Sequence, residues 1–256
     1  FSPHDRYLAV VAVTHPRFVG VHGLKPSQYT DQLKKMALNG KYPATVRLFD
    51  LATQKEINLS PAANATFNLV PGNMVAFSPD DMLIAASLGN KMKVWNCATG
   101  KEVFDLAKTG RQVAFSPSGH LLACAEPGVA VVSVPDWKTV LAAKEGGNLI
   151  AFDGQDQRMV LGPEIAGFTS WDLATGVPRH ASFGNAYDIA YSRDGTRLFV
   201  LHVQPKSITI RSAETLSKLL DLPCEQAPRS AAEIEPMLDE LLISLRDDRV
   251  AKATAP

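Results

Sequence analysis

Three times the chain writes Phe-Ser-Pro, four variable residues and an apolar run: FSPHDRYLAV from Phe1, FSPDDMLIAA from Phe77 and FSPSGHLLAC from Phe115. Two looser copies follow, FDGQDQRMVL from Phe152 and YSRDGTRLFV from Tyr191. The steps from 77 to 115, 115 to 152 and 152 to 191 are 38, 37 and 39 residues. A period of that size means that each unit is one supersecondary element, which buries its apolar face only by stacking on its neighbours. Helical repeats need long stretches of 3.6-residue periodicity. Here the apolar runs are short, rich in β-branched and aromatic residues, and broken by Pro, Asp and Gly, so the unit is built of strands.

Within a copy the strand 74–77 meets Ser78-Pro79-Asp80-Asp81, where Pro presets φ for a turn and Asp can accept from nearby backbone N–H groups. The next run, 82–87, is almost continuously apolar, as expected of a strand buried on both faces. A third strand, Met92-Lys93-Val94-Trp95, leads into Asn96-Cys97-Ala98-Thr99-Gly100, a hairpin turn with an Asx side chain to cap it and a Gly free to take positive φ. The same turn recurs as Asp50-Leu51-Ala52-Thr53-Gln54 and Asp172-Leu173-Ala174-Thr175-Gly176. Trp95 and Trp171 therefore read as structural rings filling the gap between sheets. Trp137, in Pro135-Asp136-Trp137, reads as a turn residue.

The stretch VAFSPDDMLIAASLGNKMKVWNCATGKEV resembles a WD repeat, and SWDLATG carries the Trp-Asp pair of that family. The resemblance covers nearly the whole chain. It implies an all-β fold, a β-propeller of four-stranded antiparallel blades, with five to six blades present and a short helical insertion in the first. The units fall at about 1–70, 71–108, 109–146, 147–184 and 185–224, with a partial one at 225–256. The Gly-His pair that usually precedes the first strand is missing, as is the Asp usual before the Trp strand. The hydrogen-bonded tetrad of the family is therefore not carried over, which leaves a divergent propeller held by apolar packing between blades.

The first unit departs from the period. Phe1 to Phe49 is 48 residues where Phe77 to Trp95 is 18, so 30 extra residues lie between the second and third strands, at about 15–43. Residues 27–40 read as a short helix, with Ser or Thr as N-cap and Asn39-Gly40 as a left-handed stop. Tyr29, Leu33 and Met36 share one face with Ala37. That face suits packing on the rim of the propeller and is also the candidate partner-binding decoration, on the side of the links between blades. His15 and His22 stand seven residues apart without a carboxylate or Cys cluster, which is poor metal-ligand spacing.

Two readings compete at the C-terminal end. Ile234, Met237, Leu238, Leu241, Leu242 and Leu245 have helical spacing, and Ser230 with Glu233 fits a capping box. Against this, Ile234-Glu235-Pro236 echoes the Phe-Ser-Pro start 43 residues after Tyr191, and Pro236 interrupts a helix. A sixth repeat is the favoured reading of 230–249. The two chain ends duplicate second and third strands instead of complementing each other. The expectation is a fragment of a longer propeller of at least seven blades, an open arc or a ring with a seam, that exposes apolar blade faces and tends to associate.

Composition narrows the function. Twenty-six basic against 26 acidic side chains, scattered singly, lack the electrostatic footprint of a nucleic-acid binder. No apolar run approaches the roughly 18 residues of a membrane span. Cys97, Cys124 and Cys224 are odd in number and far apart, which is neither a disulfide framework nor a zinc site, and read as buried thiols. His4, His15, His22, His120, His180 and His202 are scattered, and no nucleophile elbow, P-loop or HExxH motif occurs. No catalytic, cofactor or metal residue is assigned, and no cofactor is expected. The expectation is a protein-binding scaffold, not an enzyme, with one or more protein partners. The enzyme alternative rests on residues 96–102, NCATGKE, which resemble the turn that quinoprotein dehydrogenase propellers repeat around their tryptophans; Phe104 stands in place of that Trp. A propeller accessory domain of a larger enzyme belongs to the same alternative.

Overall fold

A computed structural model describes residues 1–13, 42–59, 65–67, 75–88, 91–106, 112–125, 128–147, 149–162, 167–182, 186, 188–203 and 206–223. All the regular structure there is β, in five antiparallel sheets of four strands each. The second sheet has β5 (Val75–Phe77), β6 (Leu83–Leu88), β7 (Lys91–Asn96) and β8 (Glu102–Leu106) in spatial order 5-6-7-8. The third repeats that meander with β9 (Gln112–Phe115), β10 (Leu121–Ala125), β11 (Val129–Ser133) and β12 (Thr139–Ala143). The fourth has β13 (Leu149–Phe152), β14 (Arg158–Gly162), β15 (Phe168–Asp172) and β16 (Pro178–Ala181). The fifth has β17 (Asp188–Tyr191), β18 (Arg197–Val203), β19 (Lys206–Ser212) and β20 (Lys218–Pro223). Consecutive four-stranded meanders at this period are blades of a propeller-like fold.

The first sheet is built differently. β1 (Tyr7–Val13) pairs with β2 (Tyr42–Asp50) from Tyr7↔Asp50 to Val13↔Ala44. β3 (Lys55–Ile57) and β4 (Ala65–Phe67) both pair with β2, at its two ends. Ala44 is opposite Val13 and also opposite Ala65, so β4 lies on the edge of β2 away from β1, as β3 does. β3 and β4 are two pieces of one outer strand, and the described sheet is three strands wide. Tyr42 and Pro43, expected in the insertion, already belong to β2 and face Phe67 and Thr66 in register. No helix occurs among the described residues. The helix expected at 27–40, with Tyr29, Leu33 and Met36, falls outside them, as do His15, His22 and the segment 230–249.

The chain divides into two compact units, Phe1–Ile150 and Ala151–Pro256. In the first unit, the core between the first and second sheets gathers Tyr7, Val46, Leu48, Ile84, Ala86, Trp95 and Cys97. Trp95, 1% exposed, fills the space between these sheets as expected of a bulky ring on the third strand. The space between the second and third sheets is filled by Ala85, Met92, Val94, Val113, Leu122, Cys124 and Val132. Phe104 and Trp137 flank that cluster, stacked with ring centroids 4.4 Å apart. In the second unit Trp171 is 2% exposed, and Phe199, Leu201, Ile208 and Ile210 form a further cluster. The second strand of the second sheet is buried on both faces, as Ile84, Ala85 and Ala86 show; Met82, counted with that strand from its apolarity, lies in the turn and is 53% exposed.

Candidate functional site

Two turns recur in every sheet, and side-chain oxygens build both. The leading turns, residues 2–6, 78–82, 116–120, 153–157 and 192–196, join the first strand to the second or open the chain before β1. Their first residue receives the backbone N–H five positions on. Ser2 Oγ accepts from Tyr7 N at 3.0 Å, Ser78 Oγ from Leu83 N at 2.8 Å, Ser116 Oγ from Leu121 N at 3.1 Å and Ser192 Oγ from Arg197 N at 3.0 Å. In the fourth sheet Asp153 does the same through Oδ1, at 3.1 Å from Arg158 N and 2.8 Å from Gln157 N. The Ser of the Phe-Ser-Pro motif is therefore a buried cap. The residue three positions after it is left-handed in every copy: Asp5, Asp81, Gly119, Asp156 and Gly195 have φ between 55° and 79°. Asp tolerates that region because its short side chain bonds locally, and Gly because it has no Cβ.

The trailing turns, residues 50–54, 96–100, 133–137, 172–176 and 212–216, join third to fourth strands. Asp50, Asn96 and Asp172 accept from backbone N–H groups two or three positions on, as the Asx-Ala-Thr pattern predicts. The Thr175 N–H and then its hydroxyl hold the Asp172 carboxyl below the usual carboxylate range. Two further copies escaped the sequence reading. In Ser212-Ala-Glu-Thr-Leu216 the Ser hydroxyl accepts from the N–H three positions on, and in Ser133-Val-Pro-Asp-Trp137 from Lys138 N five positions on, while Trp137 and Leu216 take positive φ where Gly100 and Gly176 do elsewhere. The signal available was Ser followed three residues later by Asp or Thr. In each sheet the residue after the cap donates to the last residue of the leading turn, as Cys97 N does to Met82 O at 2.9 Å and Ala213 N to Thr196 O at 3.0 Å. Both turns therefore share one end of every sheet.

The junctions between successive leading turns are chemically distinct. In the first unit, Asp81 Oδ2 accepts from Ser2 Oγ at 2.8 Å, its two oxygens lie 3.3 Å from His4 N, and His4 Nδ1 stands 3.4 Å from Oδ1. Between the second and third sheets, Gly119 lies over the Pro79 ring, which a Cβ would approach to 3.3 Å. In the second unit the order of residues is reversed: the carboxylate, Asp153, is on the earlier turn and Gly195 on the later one. A cleft of about 260 Å³ opens there, lined by Asp153, Arg158, Asp194, Gly195, Thr196 and Glu214 among others. Asp194 is held at a pKa of about 2 by the Ser192 hydroxyl, the Thr196 N–H and the Thr196 hydroxyl. Tyr191, buried behind the turn, is pushed up to about 12 by burial.

Cys97 and Cys124 are buried and form no disulfide, and burial pushes the Cys97 thiol up to about 12, so it stays protonated at neutral pH. Cys224 falls outside the described residues. Among the described residues no group of three or more His, Cys, Asp or Glu is placed to hold a metal ion. Among the described residues there is no helix long and apolar enough to cross a membrane. His180 and His202 meet Thr169 and Thr209 across strands, at 3.1 and 3.2 Å. These histidines serve the sheets.

No protein-family description matches the chain, and no curated protein does. Among solved structures it is similar in fold to Kuenenia stuttgartiensis hydrazine synthase, with a TM-score of 0.52 and 16% identity over 72% of this chain. The match spans 61% of that protein's chain, less than two thirds of its length. At this identity the likeness concerns fold alone, and it agrees with a propeller-like fold built of four-stranded antiparallel sheets.

Proposed function

We propose that this chain is a divergent WD-repeat-type propeller segment that serves as a protein-binding scaffold, without catalytic activity of its own. The observation that carries this reading is the fivefold recurrence of both turns at one end of the sheets. Their polar side chains cap their own backbone, which holds each turn in a defined conformation at one end of its sheet. Rigid turns on a stable sheet suit recognition of a macromolecule, since little ordering entropy is lost on binding. Propellers host both scaffolds and enzymes, so the step from fold to function is by analogy.

The alternative is a quinoprotein-like dehydrogenase or an accessory propeller of a larger enzyme. The likeness to hydrazine synthase, an enzyme by name, keeps that class in view. Phe104, at the position of the quinoprotein tryptophan, is engaged with Trp137 in the wall between two sheets. Two measurements separate the classes. The scaffold reading expects a discrete partner retained by the full-length protein after cross-linking, and no dye-linked oxidation of alcohols or sugars with added quinone cofactor and Ca²⁺. Cofactor-dependent oxidation with no retained partner overturns it.

A further inference from the structure

The outer strands of three sheets break step at the same place. In the second sheet Trp95 pairs with Glu102 and Val94 with Phe104, so Val103 is an extra residue. In the third, Val132 pairs with Thr139 and Val131 with Leu141, so Val140 is extra. In the fifth, Arg211 pairs with Lys218 and Ile210 with Leu220, so Leu219 is extra. Each of these bulges lies seven positions after the first residue of its trailing turn, Asn96, Ser133 or Ser212. The extra side chains are apolar and open to solvent, Val103 at 43%, Val140 at 41% and Leu219 at 56% exposed. The other two outer strands keep register. β16 pairs from Trp171↔Pro178 to Phe168↔Ala181 without a break, and β3 from Asp50↔Lys55 to Leu48↔Ile57.

The difference follows composition. The bulged strands read EVFDL, TVLAA and KLLDLP, whereas the regular ones read PRHA and KEI. Among the described residues the last strand of each sheet is paired on one side, so its other edge presents N–H and C=O groups to any strand that can align with them. An apolar, unbroken edge of this kind is a template for pairing with another chain. A charged or proline-led edge is a poor one, since Pro178 has no N–H to offer and Lys55 and Glu56 resist burial. We propose that the bulge guards the apolar outer edges of the second, third and fifth sheets against strand addition by a second copy of this chain, and that Pro178 does so in the fourth. An incoming strand reads the edge at a two-residue repeat. One extra residue shifts that repeat and sharpens the local twist, leaving runs of three, three and four residues beyond it, at 104–106, 141–143 and 220–223. The inference stands apart from the scaffold reading, since an enzyme built on the same sheets needs the same guard.

Deleting Val140 from the full chain tests the guard. Thr139 and Leu141 then become consecutive opposite Val132 and Val131, which are consecutive already, so every other pair of that ladder keeps its register. The shortened chain is expected to self-associate at a concentration about tenfold lower than the parent, as roughly two or three new cross-strand pairs would give. Sedimentation velocity over a concentration series reads this, and amide exchange at 141–143 should slow as association proceeds. Simple loss of an exposed valine predicts the opposite sign, less association than the parent. Ala142→Lys in the shortened chain places a charge on the exposed edge and should return both readouts to those of the parent. Pro178 is exposed and in register, so Pro178→Val keeps the fold and carries the same expectation for the fourth sheet, with slowed exchange at 178–181. That variant decides the matter if the shortened chain does not fold. A folded deletion variant, or Pro178→Val, that associates no more readily than the parent overturns the guard. So does association that leaves exchange on the outer strand unchanged and is indifferent to Ala142→Lys.

Discussion

The Ser2 hydroxyl donates to Asp81 Oδ2 at 2.8 Å, a bond between residues 79 positions apart that ties the leading turn of the first sheet to that of the second. Ser2 Oγ also accepts from Tyr7 N, so one buried hydroxyl closes its own turn and clasps the next. Asp81 does this from a left-handed backbone, φ 60°. Two substitutions separate the contributions. Asp81→Gly removes the clasp and leaves the Ser2 hydroxyl with a lost acceptor, at a cost of about 1–3 kcal/mol. Asp81→Ala loses the same bonds but keeps a Cβ in the left-handed region that the Gly variant lacks, which places it about 1–2 kcal/mol below Asp81→Gly. Urea unfolding should rank parent, Gly and Ala in descending stability, and an Ala variant as stable as the Gly variant would contradict the strain assigned to this turn.

Gly100 and Gly176 occupy the same position of the trailing turn and have the same φ, +68°. Their surroundings differ. A Cβ on Gly100 would lie 2.3 Å from the Asn58 carbonyl oxygen of the neighbouring sheet, whereas on Gly176 it meets nothing within 4 Å. Both Ala variants share the left-handed penalty of about 1–2 kcal/mol. Gly100→Ala adds an overpacking cost of about 1–3 kcal/mol, because the obstacle is backbone and yields little. Melting temperatures should therefore fall further for Gly100→Ala than for Gly176→Ala. Equal losses would mean that the close approach of residues 58 and 100 is unimportant to stability.

The caps make a third comparison. Ser116 is fully buried and receives Leu121 N at 3.1 Å, so Ser116→Ala leaves that N–H without its side-chain acceptor, for about 1–3 kcal/mol. Asp153→Ala should cost about the same, and Asp153→Ser less than about 1 kcal/mol, since Ser fills this role in the other turns. Amide hydrogen exchange at Leu121 and Arg158 provides a local readout. Loss of protection at Arg158 in Asp153→Ser equal to that in Asp153→Ala would show that Ser cannot substitute there.

How much of this was legible from the residues depended on whether a turn was written in its commonest letters. Phe-Ser-Pro with a fixed step revealed the strands, and Asn96 to Gly100 revealed a capped turn, because Asx and Gly are the residues such turns favour. Ser133 to Trp137 concealed the same backbone turn, since no Asx residue marks it and an indole took the left-handed position that Gly usually fills. Met82 was misplaced because apolarity alone does not tell a strand residue from an exposed turn residue that follows Asp81. The cleft was illegible for a different reason. Asp153 in the weak copy FDGQD looks like a degraded Ser, and its place on the cleft wall opposite Gly195, 42 positions later, is set by the packing of two sheets. The splitting of the first outer strand into β3 and β4 had no sequence signal, because three-residue strands carry too little periodicity.

Acid sensitivity should report on Asp194. Its Oδ1 accepts from the Ser192 hydroxyl, from Thr196 N at 3.0 Å and from Thr196 Oγ1 at 2.8 Å, which together lower its pKa from 3.8 to about 2. A carboxyl whose folded value lies below its unfolded value binds fewer protons in the folded state. Its contribution to stability is therefore complete above pH 3.8, declines as pH falls through that value, and is gone once pH passes below about 2. The side chain is exposed, so solvent screening keeps the effect small. Asp194→Asn retains an acceptor but cannot titrate. The difference in melting temperature between parent and variant should be constant from neutral pH to about pH 5 and should shrink toward zero by about pH 2. The sign matters more than the size. A gap that widens on acidification would mean that Asp194 is stabilised in its protonated form, and the hydrogen bonds from Ser192 and Thr196 would then have to be reassigned.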